Sequence, residues 1–273
     1  MKVLVAADME GISGVVHWDH VDPDHKEYER FRKLMTADVN AAVRGAFEGG
    51  AQEVVVSDGH ARARNILIEE LDTRARLNSG SPSALAMIQG ADSGPDAAMF
   101  IGYHARSGTD YAVLDHTWAG SVAEVSLNGR PVGEIGWNAG VCGHFGVPVI
   151  LISGDQNACA EGTAFLGAVE TAVVKQARGR MAAECLPPTV AQERILEAAK
   201  RAVQRLAAGD APQPLRFELP VRVSVAFTTS DMADRAAIFP GAQRLAGKRI
   251  EFLADDLLTA YRGFRAVVAL ARD

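Results

Sequence analysis

Val3-Leu4-Val5-Ala6-Ala7-Asp8-Met9-Glu10-Gly11 is the stretch on which the fold turns. Five successive apolar residues read as a strand buried on both faces, the usual condition inside a parallel sheet. Two acids follow, two positions apart. If the chain stays extended they point to the same side. Gly11 then lets the chain turn away. Paired carboxylates at the end of a buried strand repel each other unless a cation lies between them or one is protonated. Asp8 and Glu10 are therefore candidate metal ligands, set against the plainer reading that they cap the next segment.

Outward from this stretch the pattern recurs. Glu27 to Glu48 predicts a long helix, with Phe31, Leu34, Met35, Val39, Ala42, Val43 and Ala46 near the three-four period and Gly49-Gly50 as its end. Val54-Val55-Val56 then runs into Ser57-Asp58-Gly59-His60, and Ala97-Ala98-Met99-Phe100-Ile101 runs into Gly102-Tyr103-His104. A further apolar run, Val147 to Ile152, ends in Ser153-Gly154-Asp155. Strands alternating with helices predict an α/β fold: a mostly parallel sheet with flanking helices, in three layers. Polar groups at the C-terminal ends of such strands converge on the edge where α/β proteins bind ligands. Asp8, Glu10, Asp58, His60 and His104 all fall there. Imidazole mixed with carboxylate suits zinc, and also manganese or iron.

Other stretches carry weaker signals. His17, His20 and His25 lie among acids in HWDHVDPDHKEYER, which reads as a solvated loop. Asp115-His116 sits in a loop-like stretch and by itself is a surface pair. Asn128-Gly129 is a hairpin signal, and Glu134 on its return arm reads as a solvent-facing strand acid. Ala158 to Val174 predicts a helix, as does Val190 to Ala208 with Thr189 as its cap. Ala211-Pro212-Gln213-Pro214 marks a linker. It divides the chain into a metal-binding catalytic α/β domain, 1–210, and a smaller C-terminal α/β part, 211–273, expected to serve as support or as an oligomer surface.

The 273 residues are 48% hydrophobic with a net charge of −6. That suits a globular chain with a sizeable core. No Lys/Arg cluster interrupts the acidity, which argues against a nucleic-acid partner. The start MKVLVAADMEG is neither a signal peptide nor a membrane span, so the expected location is cytoplasmic, without a membrane partner. Cys142, Cys159 and Cys185 are odd in number and lack C-x-x-C spacing, against a disulfide framework.

At these same residues the sequence resembles the zinc-dependent D-aminopeptidases of the DppA type, peptidase family M55. The matching pieces are DMEGISG from Asp8, SDGH at 57–60, GYHA at 102–105, DHT at 115–117, GEIGWNA at 133–139 and SGD at 153–155. The resemblance covers nearly the whole chain. It implies a dinuclear zinc aminopeptidase with Asp8, Glu10, His60, His104 and Glu134 as ligands to two zinc ions. Glu134 enters the set by the resemblance alone. His116 is implied as the catalytic residue, either a nucleophile or a general acid/base beside a metal-activated hydroxide. The implied substrates are short peptides or amides with an N-terminal D-residue, such as D-Ala-D-Ala. The implied assembly is a homo-oligomer, a decameric ring around an inner chamber. One departure is Gln156, where many relatives carry a second acid after Asp155. Of the two acids at the first strand end, Asp8 is the expected bridge between the ions.

Rival readings have less behind them. A dinucleotide binder needs a glycine-rich turn after the first strand, and two acids there would repel a pyrophosphate. Cys142 and His144 lie two apart on a predicted helix and point to different sides. An L-aminopeptidase, an amidase, a phosphoesterase or a non-enzymatic metal- or peptide-binding ring would share the ligand set.

Overall fold

A computed structural model describes residues 1–272. The first sheet is built from β1 (Lys2–Ala7), β2 (Glu53–Asp58), β3 (Ala75–Asn78), β4 (Ala97–Ile101), β7 (Val149–Asp155), β8 (Glu170–Gly179) and β9 (Ala182–Cys185). The second takes β5 (Val122–Leu127), β6 (Arg130–Pro131), β10 (Val221–Phe227), β11 (Gln243–Ala246) and β12 (Arg249–Ala254). The helices are α1 (Tyr28–Glu48), α2 (Glu134–His144), α3 (Gln156–Leu166), α4 (Pro188–Ala207), α5 (Ser230–Ala236) and α6 (Leu257–Leu270).

The larger sheet runs in the order β3-β2-β1-β4-β7-β8-β9 and is parallel except for β9. From β1 the chain steps outward to β2 and β3 on one side, then returns to lay β4, β7 and β8 on the other. The order therefore reverses between β1 and β4, and a parallel sheet opens a ligand crevice beyond the strand ends at such a point. Ala7 pairs with Asp58 of β2 on one side and with Ile101 of β4 on the other. The acids after β1 thus leave the sheet at this crevice. The expected three-layer α/β arrangement is what the chain forms.

β1 reads as buried on both faces because it faces two cores. Val3, Val5 and Ala7 pack with α1 and α4 residues such as Met35, Val39, Ile195 and Ala199. Leu4 and Ala6 pack on the opposite side with Trp137 of α2, Val223 of β10 and Phe264 of α6. Two segments differ from expectation. Ala158 to Val174 is not one helix. Gly167, at φ +71, ends α3, and Thr171 to Val174, β-branched at three of its four positions, enters β8 between β7 and β9. The hairpin's return arm is only Arg130–Pro131, so Glu134 opens α2 and is not on a strand. Helix α4 starts at Pro188, one residue before the expected Thr189 cap, with proline in its first turn.

The 211–214 linker falls between α4 and β10. The sheet beyond it is antiparallel and takes β5 and β6 from before the linker. No helix among the described residues is long and apolar enough to cross a membrane. The thiols of Cys142, Cys159 and Cys185 are all free.

Candidate metal centre and cleft

Glycines let the strand ends crowd together. A Cβ on Gly11 would collide with the Tyr103 carbonyl, and one on Gly102, at φ +74, with that of Asp8. Gly11 N–H donates to Gly102 O, and Asp8 N–H to Ile101 O. These bonds fix the two acids beside the turn that carries His104. From behind, Lys175 of β8 grips the same loop. Its buried Nζ donates to the carbonyls of Glu10 (2.6 Å), Ile12 (3.0 Å) and Val15 (2.7 Å). Burial pushes its pKa down to about 8, against the pull of Asp155.

All five expected ligands meet there. His60 Nδ1 lies 3.2 Å from Glu10 Oε2 and 3.5 Å from Asp8 Oδ1. His104 Nε2 lies 3.4 Å from Asp8 Oδ2 and 3.3 Å from Glu134 Oε1. Asp8, Glu10, His104 and Glu134 are buried to within a few per cent. Asp8 therefore turns one oxygen to each histidine. Glu134 sits in the first turn of α2, where the helix end favours a carboxylate, and Trp118 N–H donates to it at 2.6 Å.

The histidines are oriented through their far nitrogens. His60 Nε2 donates to Val21 O (2.8 Å), His104 Nδ1 to Ala105 O (3.0 Å) and His116 Nδ1 to Leu114 O (2.9 Å). A carbonyl only accepts, so each ring presents its other nitrogen to the carboxylates without a proton when neutral. A ligating imidazole needs that tautomer.

His116 differs from the other two. Its ring stacks on His104 with centroids 4.0 Å apart, and Trp18 meets its edge. Its Nε2 is 3.7 Å from Glu134 and 3.9 Å from Glu10, farther than the others stand from their acids, and the side chain is 14% exposed. His104, His116 and Glu134 form one close group of potential donors, and Asp8, Glu10 and His104 another. Proximity alone therefore leaves His116 within reach of a ligand's role, and its longer distances set it apart.

Electrostatics mark the cluster as a cation site. Burial, and then the charge of Glu10, pushes Asp8 up to about 7. Burial opposes ionisation of Glu10 and Glu134 too, but His60 holds Glu10 well below its ordinary value and His104 lowers Glu134. Burial would lower both of those histidines, yet Glu10 raises His60 and Glu134 raises His104 well above normal. Burial, with His104 beside it, lowers His116. Asp8 Oδ2, Glu10 Oε2 and His104 Nε2 are buried and make no hydrogen bond. An unsatisfied buried polar atom costs about 1–3 kcal/mol. Three of them turned toward one another fit a zinc ion, whose coordination would satisfy them together.

Other expected positions resolve differently. Asp58, at a strand end, turns away and accepts from Asn65 and Ile66 N–H groups, tying down the loop after His60. His20 stacks on Phe31, apart from any ligand group. Cys142 is buried, its thiol pushed up to about 12, while His144 is exposed, so they form no catalytic pair. Gln156 is structural. It donates to Tyr111 O of the His116 loop and accepts from Ala177 N–H of β8. Asp115, beside His116, accepts from Gly108 N–H and from Arg180.

The centre opens into a cleft of about 860 Å³, lined also by Trp18, Trp118, the 80–83 loop and one face of α6. Sequence reasoning saw no chemistry in the tail after residue 211, yet α6 walls the cleft. It also passed over Lys175, a cation that follows Val173-Val174 and is followed by Gln176 and Arg178, so that nothing in the sequence singles it out.

The family of D-aminopeptidases matches residues 1–266. The D-aminopeptidase of Bacillus subtilis (strain 168) is 36% identical over 272 residues, covering 99% of this chain and 98% of that protein. A solved structure, the Zn-dependent D-aminopeptidase DppA from Bacillus subtilis, described as a self-compartmentalizing protease, superposes with a TM-score of 0.95 at 36% identity. It covers 99% of this chain and 98% of its own.

Proposed function

The chain belongs to the D-aminopeptidase family, and from that premise we propose that it is a zinc aminopeptidase that removes the N-terminal residue, a D-amino acid such as D-Ala, from short peptides. The observation that carries this is the set of three buried, unpartnered donor atoms on Asp8, Glu10 and His104 at the switch point of the sheet. Asp8, Glu10, His60, His104 and Glu134 would hold two zinc ions. Asp8 would be the ligand they share, a role supported by its two oxygens facing His60 and His104 separately. Zinc bound there would supply a Lewis acid for the scissile carbonyl and acidify water.

The protein's own groups do the rest. His116 is the general acid/base. Its Nδ1–H is tied to Leu114 O, so Nε2 is the atom that takes a proton and returns it to the leaving amine. Burial and His104 keep it neutral, ready to accept. Trp18 holds its edge and limits the ring's rotation. The rigid backbone anchors of Asp8 and Glu134 keep the site from rearranging as charge develops.

Residues 1–210 carry the ligands, and 211–273 closes one side of the cleft and serves assembly. The relative is self-compartmentalizing, and a homodecamer is the proposed state here. Exposed Leu245 of β11 and Leu253 of β12 offer apolar side chains for it. The free thiols agree with a cytoplasmic location.

The test is hydrolysis of D-Ala-D-Ala and L-Ala-L-Ala by chelator-stripped protein before and after zinc is restored, with metal analysis. Release of D-alanine that disappears with the metal and returns with about two zinc per chain is expected. Full activity of stripped protein would refute the proposal, as would preference for the L-peptide.

A further inference from the structure

The cleft has a second charged region that the ligand set does not use. Arg262, Arg265, Ala266 and Ala269 of α6 line it, and Arg272 just past the helix continues the row. Spacings of three and four put these on one stripe. Arg62, from the loop after His60, lines the cleft too. The lining carboxylates are Asp8, Glu10 and Glu134, which face the histidines, and Asp58, whose oxygens accept from Asn65 and Ile66. Among the described residues no lining carboxylate is left to balance the arginines.

Arg62 and Arg262 make no side-chain hydrogen bond or ion pair among the described residues. Arg265 is held in place and has no carboxylate partner among the described residues. Its Nη1 donates to Ala84 O (2.7 Å) and Nη2 to Ser83 O (3.0 Å). Its Cζ lies 5.6 Å from the ring centre of Tyr261 and 5.9 Å from that of Trp118. Those bonds leave guanidinium N–H groups over, in the planar fork that suits a carboxylate. Trp118 also links the two ends of the cleft, since its backbone N–H donates to Glu134.

We propose that Arg262 and Arg265, with Arg62, bind the C-terminal carboxylate of the substrate. This rests on the aminopeptidase reading of the same site. The cleft then has a polarity. The substrate's N-terminal end lies at the carboxylate-rich centre and its free C-terminus at the arginines. A cleft of about 860 Å³ is of small-ligand size, so only a few residues fit between the two ends. The substrate class narrows to very short peptides with a free C-terminal carboxylate, and C-terminal amides and esters are poor substrates.

The experiment compares D-alanyl-D-alanine with its C-terminal amide in wild type, Arg262→Ala, Arg262→Lys and the Arg262→Ala/Arg265→Ala double variant. Arg262 is exposed, so its replacement leaves the core untouched. With zinc restored, wild type should favour the acid by about tenfold or more in kcat/KM, carried by KM. The ratio should fall toward one in the double variant and be partly kept in Arg262→Lys. Calorimetry on metal-stripped protein should show the acid binding more tightly than the amide in wild type, with the difference lost in the double variant. A wild-type ratio near one, or a ratio unmoved in the double variant, would overturn the carboxylate site while the aminopeptidase reading stands. Wild type that cleaves neither compound with zinc would overturn both.

Discussion

The two ends of the cleft are built on opposite plans. At the inner end the acids, His60 and His104 stand at strand ends or a helix start and His116 on a loop, and backbone groups orient them: His60 is tied to Val21, His104 to Ala105, His116 to Leu114, Glu134 to Trp118. At the outer end the charges ride on long side chains, Arg262 and Arg265 from one helix face and Arg62 from a loop, and among the described residues only Arg265 is anchored. The inner end is preorganised for one geometry, as bond-making chemistry requires. The outer end can shift its charges and reads little beyond sign and reach.

If that contrast is right, the inner end should be intolerant in graded ways. The largest effect belongs to His116→Ala. Zinc content and fold should stay as in wild type while kcat falls by about 10²–10⁴-fold, the share of a general acid/base. Metal analysis beside steady-state kinetics decides it. Loss of a zinc along with turnover would move His116 into the ligand set and redraw the inner end. A smaller effect is expected of Lys175→Met, which removes the donor shared by three carbonyls of the 10–15 loop. With Glu10 less firmly placed, zinc affinity should drop by about 10–100-fold, and added zinc should recover activity. Competition against a chromogenic chelator measures it. Unchanged affinity would mean that the glycine-mediated contacts to Gly102 hold the loop unaided.

The same contrast explains what could be read from sequence. Strand ends announce themselves, because a buried apolar run must stop where the polar residue begins. Asp8, His60 and His104 were legible for that reason, as was the parallel sheet that gathers them. Glu134 was not, because a two-residue hairpin arm and a helix start look alike once Pro131 and Gly133 have broken the pattern. The break of Ala158 to Val174 was hidden by alanines that favour a helix and by a second glycine, Gly162, that the helix tolerates, so Gly167 did not stand out as its end. The arginines of α6 were illegible in a different way. Exposed cations at helical spacing are what any solvated face shows, and only the second sheet, which brings α6 back over the first, turns that face into a wall.

The smallest effect lies behind the inner end and touches stability alone. Asp38 of α1 is fully buried, and its oxygens accept from Ser13 N–H and Ser13 Oγ, each at 2.9 Å. Burial outweighs those bonds and pushes its pKa up to about 6 from an ordinary 3.8. Between those two values the folded chain holds a proton that the unfolded chain has released. Stability from this group therefore falls as pH rises through that window and stays lower above it, by about 3 kcal/mol at most. Asp38→Asn keeps an acceptor for Ser13 and cannot ionise. Urea unfolding of metal-stripped wild type and variant, followed by circular dichroism, should show the variant gaining on wild type by about 2–3 kcal/mol between pH 4 and pH 7. A difference that stays constant across that range would mean that Asp38 titrates as it does in water. The rear of the metal loop would then be as open to solvent as the arginine wall, and the contrast between the two ends would reduce to their front faces.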